Sequence, residues 1–360
     1  MPIPAQRDLD EARQAIERWL SDVRPEISEV HVSELSAPEG TGYSNETLLF
    51  DASWTESGTS RRTSLVLRVK PDRFRVFMED DFALQHQVLV ELGRLGVRVP
   101  PVHELEEDPE ILGAPFFLMT RVPGRAPSDT PGYNAEGWVR ELAPSQRRAL
   151  WLSAMGGLCE LHRAGIAGDF GFLAKPERGP TGLEQQLRYY EEGLEWAAQG
   201  RPQPVAEAAW EWLSSHIPDR RPTMLSWGDA RIANMLFDGT ECRALLDWEM
   251  VSLGGPEMDL GWWLFLDRYS AEGMGLQRLD GLGSRQETID LWQEQTGLVA
   301  ADLEFYEIFA GLRFAVVMTR LAQMFQQWEL PVDPEMETDN PVTHLLADLL
   351  GISRPRRAVQ

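Results

Sequence analysis

LSWGDARIANMLFDGTECRALLDWE, Leu225 to Glu249, is the stretch on which the reading of the fold turns. Three short apolar segments run through and into it: PTMLSW (Pro222 to Trp227), NMLF (Asn234 to Phe237) and RALL (Arg243 to Leu246), with Asp238-Gly239 as a turn between the last two. The pattern predicts a loop followed by a β-hairpin. Asp229 lies in the loop, Asn234 follows five residues later, and Asp247 comes thirteen after that, just past the hairpin. Any one of them alone would pass for an ordinary turn former. Three polar residues at these separations, with apolar strands packed between them, call for a chemical explanation.

The spacing matches the protein-kinase pattern. There the loop Asp accepts the proton of the substrate hydroxyl, the Asn five residues on binds metal, and the Asp after the hairpin binds the metal that bridges the phosphates. Phosphoryl transfer needs little covalent chemistry from a protein, so two carboxylates and a carboxamide that position a hydroxyl and neutralise phosphate charge are enough.

WGDARIANMLF followed by LLDWEMVSLGGPEMDLGWW resembles the aminoglycoside phosphotransferase family, in particular the branch that includes the kinase-like domains of some acyl-CoA dehydrogenases. The resemblance extends over most of the chain. APFFLMTRVPG (Ala114 to Gly124) is similar to the segment joining the family's two lobes, and GVRVPPV (Gly96 to Val102) to the segment before it. LCELHRAG (Leu158 to Gly165) is similar to its central helix, and LEQQLRYYEEGLEW (Leu183 to Trp196) to its substrate-side helix. The resemblance implies Asp229 as catalytic base, Asn234 and Asp247 as metal ligands, Asp259 as a buried structural carboxylate, ATP and Mg²⁺ as cofactors, and Met119 of the joining segment against the nucleotide.

Two positions depart from the family pattern. Trp227 stands where most relatives have His, and an indole donates one hydrogen bond and accepts none. Any scaffold bond that needs an imidazole acceptor is therefore rebuilt or absent. In the small-lobe helix, the Glu that pairs with the phosphate-binding base in many kinases falls on Gln85, with Glu79, Asp80 and Asp81 as the acidic alternatives nearby.

The remainder of the nucleotide site is expected in the first part of the chain. EGTGYSNETLLFDASW (Glu39 to Trp54) reads as a Gly-containing turn and a strand, and SLVLRVK (Ser64 to Lys70) as the next strand. Gly40 and Gly42 permit positive φ, so the amides of Tyr43, Ser44 and Asn45 could approach phosphate oxygens. Gly42, Ser44 and Asn45 are thus candidate nucleotide contacts. Arg68 and Lys70 share one strand face. The family pattern places the phosphate-contacting base at Arg68 and leaves Lys70 as a second contact or a solvated charge.

A chain of 360 residues suggests two lobes, each with its own core. Asp8 to Leu20 has helical periodicity, strand-like segments dominate to about Val122 around a helix at Asp80 to Leu95, and from Pro144 onward nearly everything outside the hairpin reads helical. The expectation is an α+β, protein-kinase-like two-lobed fold. Residues 1–122 would form a small lobe with an antiparallel sheet and a helix, and residues 123–360 a larger, mainly helical lobe carrying the catalytic loop and acceptor pocket.

Neither a membrane span nor a signal peptide is indicated, and Cys159 and Cys242 do not suggest a disulfide framework, so a cytoplasmic location is expected. The net charge of −23 argues against nucleic acid as a partner. It does not select a cationic acceptor, because the acids are spread from Glu11 to Asp348. The expected partner is a small-molecule hydroxyl acceptor, either an aminoglycoside or a hydroxyacyl-type metabolite; a nucleotide-binding pseudokinase is the non-enzyme alternative. Thirteen tryptophans, several of them beside the motif, either stack on an acceptor or fill the core. Arg231 and Glu249 fit either a catalytic contact or a structural salt bridge.

Overall fold

The computed structural model describes residues 7–38, 46–70, 74–79 and 81–355. Helix α1 (Leu9–Val23) begins where the Asp8 carboxylate accepts the amides of Asp10 and Glu11 at 2.9 and 3.0 Å, which satisfies two of the donors that a helix start leaves open. Its apolar stripe, Ala12, Ile16, Trp19 and Leu20, is buried.

That stripe covers one face of a five-stranded antiparallel sheet formed by β1 (Ile27–Val32), β2 (Glu46–Glu56), β3 (Thr59–Val69), β4 (Val102–Glu106) and β5 (Phe116–Thr120). The strand order is β1-β2-β3-β5-β4. Alternation along β5 divides two cores. Phe116 and Leu118 join Trp19 and Leu20 under α1, whereas Phe117 and Met119 face the other way, toward helix α2 (Phe82–Arg94) and the large lobe. Arg68 on β3 pairs in register with Thr47 and Phe117, so it points to the large-lobe side.

Beyond the sheet come α3 (Trp138–Glu141), α4 (Pro144–Ala167), α5 (Gly182–Ala198) and α6 (Pro204–Ser215), then the hairpin β6 (Met235–Asp238) and β7 (Glu241–Leu245). Helices α7 (Pro256–Arg268), α8 (Arg285–Thr296), α9 (Leu303–Gln327) and α10 (Pro341–Leu350) complete the large lobe. The fold is the expected two-lobed α+β arrangement. The predicted hairpin is present, while the segment before it forms isolated bridges, Met224 to Gly254 and Ser226 to Ser252, instead of a strand. Both cysteines are free and buried.

Helix α9 is the spine of the large lobe. By length and composition it could cross a membrane, but 78% of its most apolar window is buried inside the fold. It crosses α7 closely at Gly261, where a Cβ would lie 2.6 Å from Tyr306. The lobes meet at several places among the described residues, one of them the Leu245 amide, which donates to the Arg98 carbonyl at 2.7 Å. Arg125 and Phe237 exchange backbone hydrogen bonds of 3.0 Å, which fastens the joining segment to the hairpin. Residues 74–79, between β3 and α2, reach down to the large lobe, where Arg320 donates to the Arg75 carbonyl at 2.9 Å and Arg178 pairs with Glu79.

The α1 packing has a measurable consequence. Trp19 is buried, lies edge-on to Phe116 at 4.7 Å, and donates to Glu106 at 2.6 Å. Trp19→Ala should therefore lower unfolding stability by about 3–5 kcal/mol in urea titration, and an unchanged midpoint would show that α1 is peripheral to the core.

Candidate active site

The loop before the hairpin hangs from one carboxylate. Asp259, in the first turn of α7, has no exposure and accepts from Ser226 Oγ and Trp227 N at 2.7 Å, Gly228 N at 2.8 Å and His162 Nε2 at 3.0 Å. His162 Nδ1 is itself occupied by the Trp292 indole N–H at 2.8 Å. An accepting Nδ1 puts the ring proton on Nε2, so neutral His162 donates to Asp259. Gly228 adopts φ +92°, and a Cβ there would lie 2.0 Å from the Met250 carbonyl oxygen. No other residue fits.

This scaffold presents Asp229, which is 8% exposed. Trp262 Nε1 donates to its Oδ1 at 2.7 Å, Asn234 Nδ2 donates to its Oδ2 at 2.7 Å, and Arg231 Nε lies 3.1 and 3.2 Å from the two oxygens. Lone-pair capacity remains for one further donor, as a base needs. Arg231 also pairs with Asp129. Burial opposes its charge, but the carboxylates of Asp229, Asp129 and Asp247 outweigh that and hold its pKa above the ordinary value.

Asn234 ends a short 3₁₀ turn, Ile232–Asn234, and uses Nδ2 for Asp229, so its Oδ1 accepts no hydrogen bond among the described residues. Asp247 follows β7 with φ +62°. Its Oδ1 is buried without a hydrogen-bond partner, and Arg68 Nη2 stands 4.0 Å away. Burial pushes the Asp247 carboxyl above its usual range; the Arg68 charge opposes this and the Asp229 charge adds to it. A buried carboxylate oxygen without a donor needs an explanation. It and the open Asn234 oxygen are the hard ligands that suit Mg²⁺. The described residues contain no cluster of three His, Cys, Asp or Glu that could hold a metal ion, so a cation here would draw its other ligands from phosphate and water.

The structure brings Asp229, Asn234, Asp247 and Arg68 together. Met119 lies half-buried on the same sheet face as Arg68, whereas Gly42, Ser44 and Asn45 lie outside the described residues. Trp227 replaces the expected imidazole by a rebuilt contact, its indole donating to the Leu246 and Asp247 carbonyls at 2.9 and 3.1 Å. The expected partner of Arg68 is corrected. Gln85 is buried and makes no bond to it; Arg68 donates to Thr47 Oγ1 at 2.9 Å, Glu79 pairs with Arg178 and Asp81 with Lys175, while Asp80 lies outside the described residues. Sequence reading missed Trp262 as a partner of Asp229. The signal was available, since Trp262 follows Asp259 by three residues and shares its helix face.

The sequence model of the phosphotransferase enzyme family matches residues 40–292, which include every one of these side chains. The chain belongs to that family. Relatives of known sequence include mouse acyl-CoA dehydrogenase family member 10, 30% identical over 204 residues that cover 55% of this chain, and the Arabidopsis thaliana protein described as a probable acyl-CoA dehydrogenase, IBR3, 29% identical over 78% of it. This chain spans only 18% and 35% of those proteins. Among solved structures, a Ralstonia eutropha protein given as a candidate aminoglycoside phosphotransferase superposes with a TM-score of 0.66 at 20% identity, covering 94% of this chain and 98% of its own. The ternary complex of aminoglycoside phosphotransferase APH(4)-Ia with AMP-PNP and hygromycin B gives 0.56 at 14%, and choline kinase LicA of Streptococcus pneumoniae 0.54 at 11%, each over 94% of this chain and 98% of its own. At these identities the solved structures establish the kinase-like fold.

Replacing the scaffold carboxylate tests the geometry of this phosphotransferase loop. Asp259→Ala orphans buried donors worth about 1–3 kcal/mol each before relaxation, so stability measured by urea unfolding should fall by at least about 3 kcal/mol. An unaltered unfolding curve would refute the anchoring role.

Proposed function

We propose that this chain transfers the γ-phosphate of ATP, with Mg²⁺, to a hydroxyl of a small molecule. The observation that carries the reading is the convergence of Asp229, Asn234 and Asp247 around a buried carboxylate oxygen that lacks a donor, with Arg68 at 4.0 Å from it. Asp229 orients the acceptor hydroxyl and takes its proton as the new oxygen–phosphorus bond forms. The bridging bond to the β-phosphate breaks, and ADP leaves with the electron pair. Mg²⁺ bound by Asn234 and Asp247 would supply neutralisation of phosphate charge. Arg68 and the side chain of Met119, together with Gly42, Ser44 and Asn45 from outside the described residues, complete the nucleotide site in this reading. We place the lobe boundary at residues 122 and 123, next to the Arg125 and Phe237 pairing, and the reaction in the cytoplasm, where ATP is maintained.

A small apolar recess of about 10 Å³ lies beside the helices of the large lobe. Val76, Phe77, Tyr189, Tyr190, Trp196 and Val316 line it between α5, α9 and the 74–79 connection, and no carboxylate is among its lining residues. The recess admits about one water and no acceptor, so the acceptor is read from the relatives, and we favour a hydroxyacyl-type or other apolar hydroxyl compound over a polycationic sugar. The acyl-CoA dehydrogenase names of the relatives agree with that reading.

Asp229→Asn should lower turnover of γ-labelled ATP into acceptor by about 10²–10⁴-fold while Mg-ATP affinity stays within about threefold; retained turnover would remove Asp229 as base. Asp247→Ala should abolish the magnesium-dependent part of the ATP thermal shift, and an undiminished shift would refute its role as a ligand. In a panel of hydroxyl compounds, labelled products from apolar hydroxy acids and not from aminoglycosides are expected. Products from aminoglycosides alone would reverse the acceptor assignment, and silence across the panel would favour a nucleotide-binding pseudokinase.

A further inference from the structure

Arg313 on α9 has no exposure, yet it pairs with no carboxylate among the described residues. Its Nη2 donates to the Gly228 carbonyl at 2.8 Å, while Nε and Nη1 have no partner. Aromatic faces stand where a counter-ion would be expected: the guanidinium carbon lies 4.5 Å from the Trp262 ring centre, 5.3 Å from Tyr190 and 5.8 Å from Phe309. Two turns along the same helix, buried Arg320 uses Nε and Nη2 on the Arg75 carbonyl and Nη1 on Gln323. Arg320 is satisfied and Arg313 is not. Burying a cation without a carboxylate is unfavourable, and an apolar side chain of similar length would fill the space at less cost. A residue kept against stability beside a catalytic loop is a candidate for function.

Both groups that Arg313 holds lead to Asp229. Gly228 precedes it in the chain, and Trp262 donates to its Oδ1 at 2.7 Å. A cation over the indole face draws electron density from the ring and sharpens its N–H as a donor. We propose that Arg313 is a positioning residue for the transfer, fixing the catalytic carboxylate through the Gly228 carbonyl and through the Trp262 indole. This rests on Asp229 being the base, so the test includes a readout that does not need turnover.

Arg313→Met removes the charge and keeps the volume. Its thermal midpoint should equal or exceed that of the wild type while kcat falls about 10- to 100-fold, with Mg-ATP affinity within about threefold. Arg313→Lys should recover part of the rate, and Trp262→Phe, which keeps the ring but not the donor, should show a similar loss of kcat. A structural role alone would instead lower the midpoint together with activity and nucleotide binding. That result, or a kcat within about twofold of wild type, overturns the proposal. The Trp262 indole N–H, assigned by its absence in Trp262→Phe, gives the independent arm. In Arg313→Met its hydrogen exchange should accelerate by about tenfold or more, and unchanged exchange overturns the proposal whether or not an acceptor is known. A wild type that phosphorylates nothing while its indole exchange responds as expected would fail the phosphotransfer reading and leave the placement of Asp229 by Arg313 standing.

Discussion

Four donors converge on the carboxylate of Asp259, and the site exists because they do. A fully buried carboxylate survives only if its oxygens are satisfied, and a hydrogen bond to a charged acceptor is worth about 1.5–3 kcal/mol. Three of the four donors belong to consecutive residues, Ser226, Trp227 and Gly228, so the bonds fix the backbone immediately before Asp229. The fourth, from His162, ties the same carboxylate to α4, and Trp292 extends the tie to α8. Three helices therefore determine where one loop begins. Trp227 completes the frame by clamping the carbonyls of Leu246 and Asp247, which sets the Asp247 carboxylate relative to Asp229.

Much of this was legible in the sequence. The hairpin and its flanking polar residues follow from apolar runs, an Asp-Gly turn and two separations in the chain. The large-lobe helices follow from periodicity, and Asp259 from resemblance. What sequence could not give was the partner of a charge. Gln85 sits at the expected place in the small-lobe helix, yet Arg68 turns to Thr47 on the neighbouring strand and toward Asp247 across the cleft. Pairing depends on which side chains meet in three dimensions, and a local pattern carries no such information. The same limit applied to the tryptophans. Composition could not say that Trp262 donates to Asp229 while Trp227 and Trp248 pack on each other at 5.6 Å.

The distribution of charge also differs from what the net value suggests. The charge of −23 is spread along the chain, whereas the small apolar recess beside α5 and α9 has no carboxylate in its lining and the buried cations nearby, Arg313 and Arg320, rest on aromatic rings. Surface charge and site chemistry are thus separate properties of this molecule. The first is spread along the chain; the second is set by a few side chains that the core selects.

The connection formed by residues 74–79 has a mechanical consequence. Arg320 stacks between Phe74 and Trp196, 4.4 and 4.0 Å from their ring centres, and holds the Arg75 carbonyl, while the Leu245 amide donates to the Arg98 carbonyl at a second place and Lys175 pairs with Asp81 at a third. Fastenings spread over several points act less like the pins of a door than like rivets along a seam. Displacing the sheet relative to the helical body therefore means breaking several of these contacts together, so the width of the opening between them is tied to all of the fastenings at once.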